Sequence, residues 1–219
     1  MFLHRLPHNL EKRNAHMNKH YKIILDTETA GTLKAPLVYD LGYIVVNNHN
    51  EIVKQRDYII TQIYDNPELF ATAYYAKKRP LYEKRLASNY CKKVAFGYAL
   101  MRLAKDIEKY NAVCYAYNST FDTNALINTA RQYDKLQYIP QDFRILDIMK
   151  FIEPIISTKE YIEYCKAHNY LTKTGRVSTT AETLYRYTFE DSGFKEEHTA
   201  LEDSRIEFDI LSRIIREDL

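Results

Sequence analysis

The sequence predicts a mixed α/β domain, a five-stranded sheet flanked by helices. Three observations carry that expectation. Short β-branched runs open the chain as hairpin-connected strands. Further strands then alternate with helices. The chain closes on a long amphipathic helix.

The first strand is the apolar run Tyr21–Leu25, expected to end where Asp26-Thr27-Glu28-Thr29-Ala30-Gly31 opens a loop. Leu37–Val46 and Glu51–Ile60 are predicted as the next two strands, joined by the turn Asn47-Asn48-His49-Asn50. Asn66-Pro67 starts a helical stretch to about Ser88, broken near Pro80, because proline suits a first helical turn and cannot donate inside one. Lys92–Tyr110 is predicted as an amphipathic helix. Ala112–Tyr117 is a buried strand, and Asn118-Ser119-Thr120 caps a helix to about Gln132. Phe143–Leu146 is the fifth strand, with a helix from Asp147. Ser157-x-x-Glu160 has the form of a capping box for a helix to His168. Leu171–Val177 is a loop, Ser178–Tyr187 a helix, Glu190–Glu197 a loop and Thr199–Arg216 the last helix. No internal repeat or low-complexity tract is present.

At 219 residues the chain can bury a sizeable core as one domain, and 46% hydrophobic with 27% charged residues is ordinary globular composition. Residues 1–20 are polar and basic and hold four of the seven histidines, so they are expected to form a disordered or loosely attached extension before a domain over 21–219. They lack the apolar core of a signal peptide, and no apolar run has membrane-spanning length. Three scattered cysteines, Cys91, Cys114 and Cys165, form neither a zinc motif nor a disulfide framework and fit a cytoplasmic protein. A net charge of +2 means that any nucleic-acid contact must use locally gathered cations. Lys77-Lys78-Arg79, Lys84-Arg85 and Lys92-Lys93, interleaved with Tyr74, Tyr75, Tyr82 and Tyr90, form one such gathering. It reads equally as a strand-tracking surface or as a solvated helix face with core tyrosines.

Three groups can do chemistry. Asp26 and Glu28 are two apart, so on an extended segment both project the same way, and paired hard oxygens suit Mg²⁺ or Mn²⁺. Read alone they are also two solvated loop charges, or the start of an aspartyl-phosphate phosphatase. Asp122 follows a buried strand, where a first-turn acid also simply favours the helix dipole. On the last helix Asp203 shares a stripe with Ile206, Ile210 and Ile214, opposite Glu202, Arg205, Asp209, Ser212 and Arg216. A carboxylate on the inward face needs a metal ion or a buried cation as partner. His198, just ahead, has the pKa range for base work near neutrality.

The set Asp26-x-Glu28, Asp122 within Asn118-x-x-Phe121-Asp122, and His198 five residues before Asp203 resembles the DEDDh-type 3′-to-5′ exonucleases of the ribonuclease H-like superfamily. That family includes the proofreading subunit of bacterial DNA polymerase III, ribonuclease T and oligoribonuclease. The resemblance spans Tyr21 to about Arg216, with a phage-borne flavour in the Ala73–Lys78 segment. Ala30 departs from the threonine common there, and the insertion Pro67–Ser88 and loop Leu171–Val177 carry no motif of the family.

The resemblance implies a ribonuclease H-like fold and two divalent ions, Mg²⁺ or Mn²⁺, on Asp26, Glu28, Asp122 and Asp203. His198 is implied as base, and nucleoside 5′-monophosphates as product. It implies substrate contacts from Thr29, Asn118 and Phe121, a single-stranded DNA or RNA 3′ end as partner, and either a polymerase or a second copy of the chain as protein partner. Asp147 reads as a helix N-terminal residue without a catalytic role. The alternative is a catalytically inactive nucleic-acid- or protein-binding module on the same fold.

Overall fold

The computed structural model describes residues 21–141 and 143–217. The extension expected over residues 1–20 lies outside them. Six strands form one mixed sheet in the order β4-β3-β2-β1-β5-β6. The strands are β1 (Lys22–Thr32), β2 (Ala35–Val46), β3 (Ile52–Ile60), β4 (Lys92–Val94), β5 (Val113–Ala116) and β6 (Ile145–Asp147). β1, β2 and β3 pair antiparallel, while β4, β5 and β6 each add in parallel to a neighbour.

Helices cover both faces. They are α1 (Thr61–Tyr64), α2 (Pro67–Phe70), α3 (Arg79–Ala87), α4 (Phe96–Tyr110), α5 (Ser119–Gln132), α6 (Met149–Ile156), α7 (Lys159–Ala167), α8 (Ala181–Thr188) and α9 (Ala200–Glu217). On one face Ile23, Leu25, Leu41 and Tyr43 pack with Phe70, Tyr82, Phe96, Leu100, Leu103 and Leu126. On the other, Ile24, Ile44 and Tyr115 pack with Ile152, Tyr161, Leu184, Leu201 and Ile210. The strict alternation along β1 and β2 drives this double burial.

Several boundaries differ from the expectation. β1 does not end at Leu25; it runs through Asp26 and Glu28 because β2 pairs with it along that length, with a bulge between Glu28 and Thr29. A sixth strand, Lys92–Val94, replaces the expected start of α4, since its backbone completes the edge of β3. The break expected near Pro80 in the Pro67–Ser88 stretch is present, with Pro80 in the first turn of α3, but the part before it is only the short α2 and a 3₁₀ turn at Ala76–Lys78. α7 is capped by Thr158, whose hydroxyl accepts from Tyr161 N at 3.2 Å, rather than by Ser157. Asn118 precedes α5 in a left-handed conformation and makes no side-chain cap. Among the described residues no helix is long and apolar enough to cross a membrane.

The element that positions the site is the start of α9, which is seated on β2. Asp40 Oδ2 accepts from Ala200 N at 3.0 Å, satisfying one of the helix's orphan donors, and from the Tyr82 hydroxyl at 3.0 Å. The Ser204 hydroxyl reaches the Gly42 carbonyl at 3.1 Å. Arg85 from α3 joins the buried Asp57 of β3 at 2.6 Å to the Thr199 hydroxyl at 2.9 Å. Gly42 permits the close approach, for a Cβ there would lie 2.0 Å from Leu201 N and 2.2 Å from Ala200 C. Gly42→Ala is therefore expected to cost about 3 kcal/mol by overpacking, read as a lower urea midpoint at unchanged m-value. An unchanged midpoint would contradict the seating.

Candidate active site

Strand β5 pairs with β1 only as far as Ile24, opposite Tyr115, and the chain then turns away into α5. β1 continues alone on that side, so a cleft opens beside Asp26 and Glu28. A sheet whose neighbouring strands diverge places its ligand crevice at such a point. The cleft encloses about 620 Å³, and Asp26, Glu28, Asp122, His198 and Asp203 all line it.

Each acid arrives for a local reason. Alternation carries the Ile24 face onward to Asp26 and Glu28, the face that α9 covers. Thr27 points the opposite way, and both its backbone N–H (3.0 Å) and its hydroxyl (2.7 Å) donate to Asp122 Oδ1 in the first turn of α5. Asp203 lies on the inward stripe of α9 and is buried, as are Ile206, Ile210 and Ile214. One oxygen each from Asp26, Glu28 and Asp203 falls within 4.8 Å of the others.

Asn118 and Phe121 also line the cleft; Thr29 lies beyond the bulge and is not among the lining residues. Asn118 N donates to Asp147 Oδ1 at 3.0 Å, and the same oxygen accepts from Met149 N, so Asp147 ties the ends of β5 and β6 together and caps the approach to α6. The basic and aromatic gathering is divided, with Lys78 over the Tyr75 ring and Arg85 over that of Tyr90. Arg85 and Tyr82 are buried, Arg79 pairs with Glu83, Lys93 pairs with Asp65, and Tyr74 stands 89% exposed.

Two further acids were missed in the sequence. Glu207, one turn beyond Asp203, is buried and lines the cleft. Its offset of four on an otherwise apolar stripe was the available signal. Glu196 lines the cleft from the preceding loop, with its Oε2 at 3.4 Å from His198 Nδ1. A loop position carries no periodicity, so nothing marked it.

The electrostatics are one-sided. Burial first, then Asp122, Glu207, Asp203 and Glu28, hold the Asp26 carboxyl well above its ordinary range. Burial and Asp203 do the same to Glu28, and burial with Asp122 to Glu207. Burial pushes Asp122 up to about 7 despite its bonds from Thr27, and burial with Glu196 pushes Asp203 to about 9. Asp203 Oδ1 and Glu207 Oε2 are buried without a hydrogen-bond partner. Hard oxygen donors, orphaned buried oxygens and mutual repulsion together fit a divalent cation and leave room for one bounded by Asp26, Glu28 and Asp203. His198 differs, for burial and then Lys78 lower its pKa, against Glu182, and favour the neutral imidazole.

A carboxyl raised in the fold binds a proton that the unfolded chain releases. Asp203 therefore contributes stability fully below its ordinary value of 3.8, and that contribution is lost as pH rises through about 9. In metal-free buffer with EDTA, Asp203→Asn is expected to flatten the fall in urea midpoint between these limits and to exceed the native protein's stability at the alkaline end. A slope equal to the native one would contradict the repulsion.

No protein-family model matches the chain, and no curated protein matches it. Among solved structures it is similar to a moderately thermophilic Exonuclease I from Methylocaldum szegediense, at TM-score 0.60 and 15% identity over 90% of this chain. The chain spans 40% of the length of that protein. At that identity the likeness is one of fold. The α/β architecture, a mixed sheet flanked by helices, is the ribonuclease H-like fold expected from the sequence, with a sixth strand added.

Proposed function

We propose that this chain is a metal-dependent 3′-to-5′ exonuclease acting on single-stranded DNA or RNA and releasing nucleoside 5′-monophosphates. The observation that carries the reading is the convergence of Asp26, Glu28, Asp122 and Asp203, drawn from three separate elements, on one cleft that also receives His198. A structural role would pair such acids with cations; the charged groups that act most strongly on Asp26 are instead Asp122, Glu207, Asp203 and Glu28.

In this reading Asp26, Glu28, Asp122 and Asp203 would hold two Mg²⁺ or Mn²⁺ ions. When bound, the ions supply charge to offset the phosphodiester and its transition state. The chain's residues do the rest. His198 is neutral, and with Glu196 against Nδ1 its Nε2 is free to accept the proton of the attacking water. The new P–O bond forms as the bond from phosphorus to the 3′ oxygen breaks, and that oxygen leaves protonated by solvent. Phe121, Tyr117 and Met149 line the cleft beside the carboxylates and give a terminal nucleotide apolar surface. Thr27 holds Asp122 so that its other oxygen stays available.

The test is a digestion time course on 5′-labelled single-stranded DNA and RNA with Mg²⁺, Mn²⁺ or EDTA. A ladder shortening from the 3′ end, abolished by EDTA and by Asp26→Ala, is the expected result. No cleavage of either polymer with either metal would move the reading to a binding module. His198→Ala is expected to lower kcat by about 10²–10⁴-fold. Because burial and Lys78 depress the His198 pKa below 6.5, the acid limb of the native pH–rate profile should fall below that value. A limb above it would contradict this assignment.

A further inference from the structure

The insertion between β3 and β4, whose α3 helps to seat α9, also brings Tyr75 into the cleft lining and Lys78 against the loop that carries His198. We propose that Tyr75, Lys78 and Glu196 are positioning residues that clamp the ring plane, backbone and tautomer of His198; this role rests on the exonuclease reading above.

Each takes a different degree of freedom. The Tyr75 ring stacks on the His198 imidazole, with centroids 4.6 Å apart and planes 13° from parallel. Lys78 Nζ lies over the Tyr75 ring at 4.5 Å and donates to the Glu197 carbonyl and, at 3.4 Å, to that of His198. Those carbonyls need a holder, because His198 sits at φ +52°, a left-handed conformation that costs a non-glycine residue free energy. Glu196 Oε2 stands 3.4 Å from His198 Nδ1. Burial and then Glu182 push the Glu196 carboxyl up to about 7; ionised above that it accepts only, selects the tautomer protonated at Nδ1 and leaves the Nε2 lone pair free.

Glu196 is itself anchored. Its backbone N–H donates to Glu182 Oε2 at 3.3 Å, Glu182 pairs with Arg186, and Arg186 Nε donates to the Phe194 carbonyl at 2.7 Å. The loop before α9 is thus held from α8 on one side and from the insertion on the other. A base on a loop contributes only when its ring is held in line with the attacked atom, and a misplacement of about 1 Å costs about 10²-fold.

The experiment uses the full chain labelled with ¹³C and ¹⁵N at histidine, Mg²⁺ present, with the His198 resonances assigned by His198→Gln. The native spectrum is expected to show His198 protonated at Nδ1, and Glu196→Ala to shift it towards the Nε2-protonated tautomer. Tyr75→Leu is expected to move the His198 ring protons by removing the stacked aromatic. It should also lower kcat about tenfold or more, on the geometric argument above, with KM nearly unchanged. Tyr75→Phe should restore both. Unmoved ring protons in Tyr75→Leu, a native Nε2-protonated tautomer, or parallel loss of KM and kcat would each overturn the clamp. Should the native chain hydrolyse no nucleic acid, the exonuclease reading fails, while the resonances still decide whether the clamp exists.

Discussion

The structure depends on holding five acids on one cleft where, among the described residues, their charged neighbours are mostly one another. Asp26, Glu28, Asp122, Asp203 and Glu207 face one cleft, and each is held above its ordinary proton affinity by burial and, in most cases, by the others. Repulsion of this kind pushes the carrying elements apart. The remainder of the fold resists it, with apolar clusters on both sheet faces and the seating of α9 against Gly42, Asp40 and Ser204. A site that costs stability and is held by stability elsewhere is the expected signature of function.

Two kinds of buried acid illustrate the difference. Asp57 meets Arg85, and Asp106 receives the Tyr43 hydroxyl at 2.9 Å together with Lys54. Those acids have partners and join elements. The cleft acids have mostly one another. Lys78 is the cation that acts on Glu28 and Asp203, and it sits behind the His198 loop, bonded to its carbonyls. Its charge tunes the rim of the site without neutralising its floor.

Much of this was legible in the sequence, for stated reasons. Side-chain alternation puts Asp26 and Glu28 on one face because the backbone stays extended through both, as β1 does past its expected end. Helical periodicity turned Asp203 inward, and the structure has it buried. What escaped depends on contacts between distant segments. Lys92–Val94 is a strand because β3 offers an open edge, and a charged three-residue run carries no signal of that. Asp40 reads as one more polar residue in β2 until Ala200 N is found on it. Glu207 sat in plain view on the stripe of Asp203, and only its isolation from a motif hid it. The break of the 67–88 segment near Pro80 was legible from the proline, which sits in the first turn of α3, whereas the ring contacts of Tyr64 with Phe70 and Tyr82 join segments that no local pattern links.

The central claim is that the cleft holds divalent ions on Asp26, Glu28, Asp122 and Asp203. The most direct measurement is anomalous diffraction from crystals grown with Mn²⁺. The account requires anomalous peaks inside the cleft, bounded by those four carboxylates and absent from crystals of Asp26→Ala. A native crystal saturated with Mn²⁺ that shows no peak there would contradict it.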